Sequence, residues 1–151
     1  MQLFFNHCLH DAKQKNQLFM DTINWLAVLV AGISAFVLGG IWYSPALFGR
    51  AWMTENKMTV EDVKKGNAAK IYGWSFILSL IISVNLAMFL SDPKIDLVQG
   101  LMYGALTGLW IFCGIAIVAL FEHRSARYIF INGGYMLVAL TLMGAIIGLW
   151  R

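Results

Sequence analysis

Charge is scarce in this chain, and where it is missing matters more than its total. Only 13% of the 151 residues are Asp, Glu, Lys or Arg, against 60% hydrophobic and 14% aromatic. One soluble core of this size cannot hide so much apolar surface, so the surplus must face lipid. Charge is absent altogether from residues 22–49, 71–91, 97–121 and 128–150, runs of 28, 21, 25 and 23 residues. A hydrocarbon core of about 30 Å, at about 1.5 Å of rise per residue, needs roughly 20 helical residues, so each run crosses once. Period-two alternation is also lacking. That excludes the closed β-barrel, the one other structure that satisfies backbone polar groups in lipid.

Other absences narrow the function classes. Cys8 and Cys113 are the only cysteines, too few and too far apart for a disulfide framework or a thiolate metal cage. The sequence has no zinc-binding HExxH, nucleophile elbow or nucleotide fingerprint, and no cofactor is expected. Gly39 with Gly40, Gly49, and Gly133 with Gly134 lie in or beside apolar runs, outside the strand-turn-helix context of a phosphate loop. No Asp, Glu, Lys, Arg or His falls within a span, which argues against a proton relay, a voltage sensor or an ion-coupled carrier. A pore lined by backbone carbonyls escapes that test. The net charge of +3 sits beside the spans instead of on one basic soluble face, so no nucleic-acid partner is expected.

The pattern predicts an all-α integral membrane bundle of four transmembrane helices over residues 22–151, with spans at about 24–44, 71–91, 98–121 and 128–150. Residues 1–21 form a leader or tail, and Met20 before "DTINWLAVLVAG" is an equally natural start. A cleaved signal peptide ending at "ISA" is the competing reading. The apolar run continues past Ala35 to Tyr43, longer than a signal core of about 7 to 15 residues, so it is expected to be retained. Between the first two spans, Leu47, Phe48, Ala51 and Trp52 fall at helical spacing with Arg50 on another face, the pattern of a short interfacial amphipathic helix. Thr59 and Asp62 then give an N-terminal capping signal, and that helix is open to running on into the second span. The short connections around 91–96 and 122–127 make neighbouring spans antiparallel.

Lysine and arginine near the spans set the expected orientation. The first and third loops carry Arg50, Lys57, Lys64, Lys65, Lys70, Arg124 and Arg127; the opposite side carries Lys13, Lys15, Lys94 and Arg151. The positive-inside rule therefore places both termini away from the cytoplasm of a bacterial inner membrane.

Small residues recur every fourth position. They are Ala27, Ala31, Ala35 and Gly39 in the first span; Ser75, Ser79, Ser83 and Ala87 in the second; Gly100, Gly104 and Gly108 in the third; and Gly144 and Gly148 in the fourth. Such ladders let backbones approach, serving either bundle packing or association with a second copy, and the third-span glycines are the candidate homo-oligomer seam. Ser34, Asn85 and Thr107, with Ser83, fall within about 6 Å of the midplane at 1.5 Å per residue, close enough to form an intramembrane polar cluster. Asn85 is expected to turn inward and bond across helices, because an amide facing lipid is costly.

A second cluster is expected at the basic end. Trp42, Tyr43 and Trp52 suit the headgroup zone, and Pro45 stops the first span. Tyr43 and Asn132 lie at similar depth, so "INGGY" at 131–135, ending in Tyr135, is placed to pack on "WYSP", with Gly133 and Gly134 admitting a bulky ring. The stretches "NWLAVLVAGISAFVLGGIWYSPALFGRAWM" and "INGGYMLVALTLMGAIIGLW" resemble the domain of unknown function 1761 family of small bacterial membrane proteins, over about residues 24–150. That resemblance implies four spans and brings no activity, cofactor or catalytic residue.

Candidate chemistry is sparse. His7 and His10 are three residues apart beside Cys8 and Asp11, a pattern able to offer two imidazoles to a metal, but with no further ligand. Glu122, His123 and Arg124 are the one acid-base triplet near the bilayer, against the simpler role of a charged loop beside anionic lipid. The leading expectation is a non-enzymatic bundle acting through association with itself, a membrane-protein partner or lipid. The alternatives are a small carrier or pore for neutral or amphipathic solutes, lined by Asn85, Ser34, Thr107 and Tyr43, and then an enzyme acting on lipid headgroups.

Overall fold

The computed structural model describes residues 23–150. Six helices follow in chain order: α1 (Trp25–Trp42), α2 (Gly49–Glu55), α3 (Val60–Lys65), α4 (Ala68–Phe89), α5 (Leu97–Phe121) and α6 (Ala126–Leu149). No strand occurs among the described residues. α1, α4, α5 and α6 are each long and apolar enough to cross a membrane.

Every spanning helix starts on a side chain that takes up otherwise orphaned backbone N–H groups. Asn24 Oδ1 accepts from Leu26 and Ala27, Asn67 from Lys70, and Ser125 Oγ from Tyr128. Asp96 and Gln99 form a full capping box at the head of α5. These caps explain why α4 and α6 begin two or three residues before the charge-free runs: helix entry is set by Asn67 and Ser125, not by the last charge. α3 has its own box, with Asp62 in place of the usual Glu or Gln. It does not continue into the second span. Gly66 is extended at φ −65° and ψ 145°, and Asn67 starts a new helix.

Two helices end on a residue in the left-handed region. Lys57 and His123 both have φ 54°, and the next N–H reaches back five residues, Met58 to Met53 O and Arg124 to Ala119 O. That closing pattern favours glycine, which neither position has.

α1 lies antiparallel between α4 and α6, and the core is their common seam: Val28, Ala31 and Ala35 from α1, Leu86 and Ala87 from α4, and Ala139, Met143 and Ile147 from α6. α5 contributes nothing to that core. It packs along another face of α6, so the bundle is a three-helix core with a fourth helix attached, not four helices around one axis. Only 17–33% of the most apolar window of each spanning helix is covered by protein, which leaves the outer surface to lipid.

Small residues decide how closely these helices approach. Ala27, Ala31 and Ala35 are fully buried, as is Ser83, whose hydroxyl donates across to Val28 O at 2.7 Å. Ser79 and Ala87 are buried on the same side of α4, whereas Ser75 is exposed and its carbonyl accepts from Ser79 Oγ. Gly39 faces Tyr135, and Gly32, outside the expected ladder, receives Leu80. The glycines of α5 are used within the chain: Gly100 and Gly104 meet backbone at Gly144, Gly148, Leu140 and Thr141, and Gly108 meets Leu137. The α5 ladder is covered by α6 and is not an open seam for a second copy. Gly144 and Gly148 are the reciprocal side of the same contact.

Candidate functional site

The helix stop after Trp42 builds the most elaborate part of the molecule. Pro45 offers no N–H, so the chain leaves α1 and folds back: Phe48 N–H donates to Trp42 O and Gly49 N–H to Ser44 O. A Cβ on Gly49 would overlap the Tyr43 carbonyl and the Ser44 backbone, so only glycine permits this return. α2 therefore starts at Gly49, after Leu47 and Phe48, which sequence spacing had placed inside it.

The fold-back brings the aromatic side chains together. Trp42 and Phe48 have ring centroids 4.7 Å apart, Tyr43 and Tyr135 5.5 Å, and Tyr43 and Trp52 6.0 Å. Their polar atoms tie α1 to α6. Trp42 Nε1 donates to Ile131 O at 3.0 Å, Tyr43 OH to Asn132 Oδ1 at 3.1 Å, and Tyr135 OH to Ala35 O at 3.2 Å. Asn132 Nδ2 donates to Tyr128 O, so its amide serves both neighbours. At the far end of α2, Ser125 Oγ donates to the Glu55 carboxylate. α2 is thus pinned at both ends. Trp42, Tyr43, Trp52, Asn132 and Tyr135 form one cluster, with Pro45 exposed on the turn that shapes it.

Of the glycine pair expected to admit a ring from "WYSP", Gly134 faces Trp42 at 3.5 Å. Gly133 instead receives Phe112 of α5, which in turn lies 5.8 Å from Phe130. A second tie sits at the opposite end of the bundle, where Asn24 Nδ2 donates to Trp150 O at 3.0 Å. Sequence reasoning missed this double role of Asn24. Its position directly before an apolar run was the available signal.

The midplane polar cluster does not form. Ser34 Oγ donates to Ala31 O, Asn85 Nδ2 to Ile81 O and Thr107 Oγ1 to Tyr103 O and Gly104 O, each within its own helix. Asn85 is exposed and does not turn inward. The reason is angular. Ser83 already faces α1, and two helical residues further on a side chain points about 200° away. A bond to the carbonyl four residues back then lowers the cost of leaving the amide outside. The three residues line no common route among the described residues, so the solute-carrier reading loses its lining.

Glu122, His123 and Arg124 are exposed, with Arg124 Nε on Glu122 Oε2 at 3.3 Å. Glu122 and Tyr128 lie at the loop end of an open recess beside Gly114 of α5, which neither His123 nor Arg124 lines. His123 holds the turn with its left-handed backbone. The His7, Cys8, His10 and Asp11 group lies outside the described residues, and so do the leader and its two lysines.

A family model described as "Protein of unknown function (DUF1761)" matches residues 26–148. The chain belongs to this family. No curated protein and no solved structure matches the chain. The DUF1761 match covers the four spanning helices except for Trp25 and Leu149 at their outer ends, so the aromatic cluster is built wholly from the family region.

Proposed function

We propose that this DUF1761 chain is a non-catalytic membrane association module whose recognition face is the aromatic-basic end. α2 and the basic loop around it act as a stiff platform for a partner membrane protein or a second copy. The observation that carries this reading is the lock itself: Trp52 packs on Tyr43 and Glu55 accepts from Ser125, which holds α2 on the joint that Trp42, Tyr43, Asn132 and Tyr135 make between α1 and α6. A segment that only joined two spans would need none of them. Arg50, Lys57, Lys64 and Lys65 lie along the segment that carries α2 and α3, with Lys70 in the first turn of α4 and Arg124 and Arg127 at the turn into α6. By the positive-inside rule that end faces the cytoplasm of a bacterial inner membrane, with both termini on the other side.

Single-molecule photobleaching in nanodiscs, together with in-cell crosslinking from Arg50 and Thr54 on α2, tests the proposal. The expected result is association above monomer or crosslinks to one defined partner, weakened when Tyr43→Phe with Trp52→Ala loosens α2. A monomer with no crosslink from α2 under any condition refutes it.

A further inference from the structure

Beyond the α2 platform, the outward face of α4 carries an amide that the single chain leaves half satisfied. Asn85 stands four residues from Ile81, the middle of the charge-free run 71–91, which puts it about 6 Å from the midplane and well inside a hydrocarbon core of about 30 Å. Its Nδ2 gives one N–H to Ile81 O, and among the described residues the second N–H and Oδ1 have no partner. Acyl chains offer neither donor nor acceptor, and water is absent at that depth, so lipid leaves the amide incomplete. The residues around it are arranged to meet a helix. Trp74, Leu78, Ile81, Asn85 and Met88 recur at alternating steps of four and three, the repeat of a coiled-coil seam, and all five are exposed. α4 turns Ser79, Ser83, Leu86 and Ala87 the other way, toward α1 and α6. α5 touches this end of α4 through Phe89, whose ring lies 6.2 Å from those of Tyr103 and Trp110, and leaves Asn85 itself exposed.

The amide selects the occupant. Copies of one chain carry the same charge bias and insert the same way up, so a two-fold axis along the membrane normal sets α4 parallel to α4 and brings identical residues together at identical depth. Asn85 then faces Asn85 of the second copy inside the bilayer. An amide is its own complement, donor to acceptor in both directions. A single Asn in an otherwise apolar seam also fixes register and the number of strands.

We propose that the outward face of α4 is a dimer seam, a parallel pair about a two-fold axis in which each Asn85 Nδ2 donates its second N–H to Oδ1 of Asn85 in the second copy. The seam shares no residue with α2, so this reading and the platform can fail separately. The test uses the full chain in liposomes, with Cys8→Ser and Cys113→Ser removing the native thiols, single introduced cysteines for oxidative crosslinking, and energy transfer on dilution with lipid for the dissociation constant. Leu78→Cys should crosslink to itself in a second copy, whereas Leu106→Cys, exposed on α5, should not. Asn85→Leu should raise the dissociation constant about tenfold, the scale of two interhelical amide bonds, because an apolar seam gains no hydrophobic drive within lipid. Asn85→Gln should keep most of the affinity. Within the single chain Asn85 bonds only to its own helix, so micellar unfolding of Asn85→Leu reads the stability of the chain apart from its pairing. The Leu78→Cys crosslink should survive Tyr43→Phe with Trp52→Ala, which loosens α2 alone. A monomer at every protein-to-lipid ratio overturns the proposal, as does a dimer equally tight in Asn85→Leu. Crosslinking through Leu106→Cys in place of Leu78→Cys, or loss of the Leu78→Cys crosslink once α2 is loosened, overturns it too.

Discussion

Replacing Gly108 by Ala adds one methyl group where α5 and α6 touch backbone to backbone. The new Cβ would sit 2.8 Å from Leu137 Cα and 3.0 Å from its carbonyl oxygen. Ordinary contact begins at 3.4 Å, so α5 must retreat by about 0.6 Å, the difference between 3.4 and 2.8. No side chain can swing aside, because both obstructing atoms belong to a helix backbone. A gap of about 0.5–1 Å forfeits a quarter to a half of each dispersion well, and overpacking of this kind costs about 1–3 kcal/mol. Alanine returns up to about 1 kcal/mol through its better helix propensity, leaving a net loss of about 1–2 kcal/mol. Gly114→Ala is the matched control on the same helix, since its Cβ meets nothing within 4 Å. It should be neutral or up to about 1 kcal/mol stabilising. Reversible unfolding in mixed micelles, followed by helical circular dichroism, should separate the two variants by about 2 kcal/mol, roughly thirtyfold in the folding equilibrium. If Gly108→Ala proves as stable as Gly114→Ala, then the α5 to α6 contact is looser than the geometry states, and the small-residue account of this bundle is wrong.

Three further outcomes follow from the same structure. Ser83→Ala removes the bond to Val28 O and should cost about 0.6–1 kcal/mol in the same unfolding assay, whereas Asn85→Leu, which only enlarges a lipid-facing surface, should cost nothing measurable or stabilise slightly. His123→Gly relieves a left-handed backbone at φ 54° and should raise stability by about 1 kcal/mol; a loss would mean that the imidazole makes a contact of its own. The Thr59 hydroxyl, the Thr59 backbone N–H and Lys65, in that order, hold the Asp62 carboxyl below its ordinary range. Because the folded value is the lower one, this support for α3 is complete above the unfolded value of about 3.9 and is lost as pH falls through the lowered folded value. Side-chain NMR of Asp62 with amide exchange at residues 60–65 should show α3 fraying in that acid window, and Thr59→Ala should bring the Asp62 midpoint back toward the ordinary value.

Four spans, their antiparallel order and the helix stop at Pro45 were determined by sequence alone, because charge cannot be spread through lipid and a proline has no N–H to give. Helical depth also put Tyr43 level with Asn132, since rise per residue is fixed whatever the packing. Which face each helix turns inward was only partly legible. Ser83 and Asn85 stand two residues apart and cannot both face α1, and nothing local says which side the neighbour lies on; the buried seam of Ala27, Ala31 and Ala35 settled it in favour of the serine. In the same way the α5 glycines announce a close approach but not its partner. Only the tertiary structure assigned them to α6, excluded α5 from the three-helix core, and opened the recess beside Gly114, because these depend on how whole helices share surface and not on any one residue's preference.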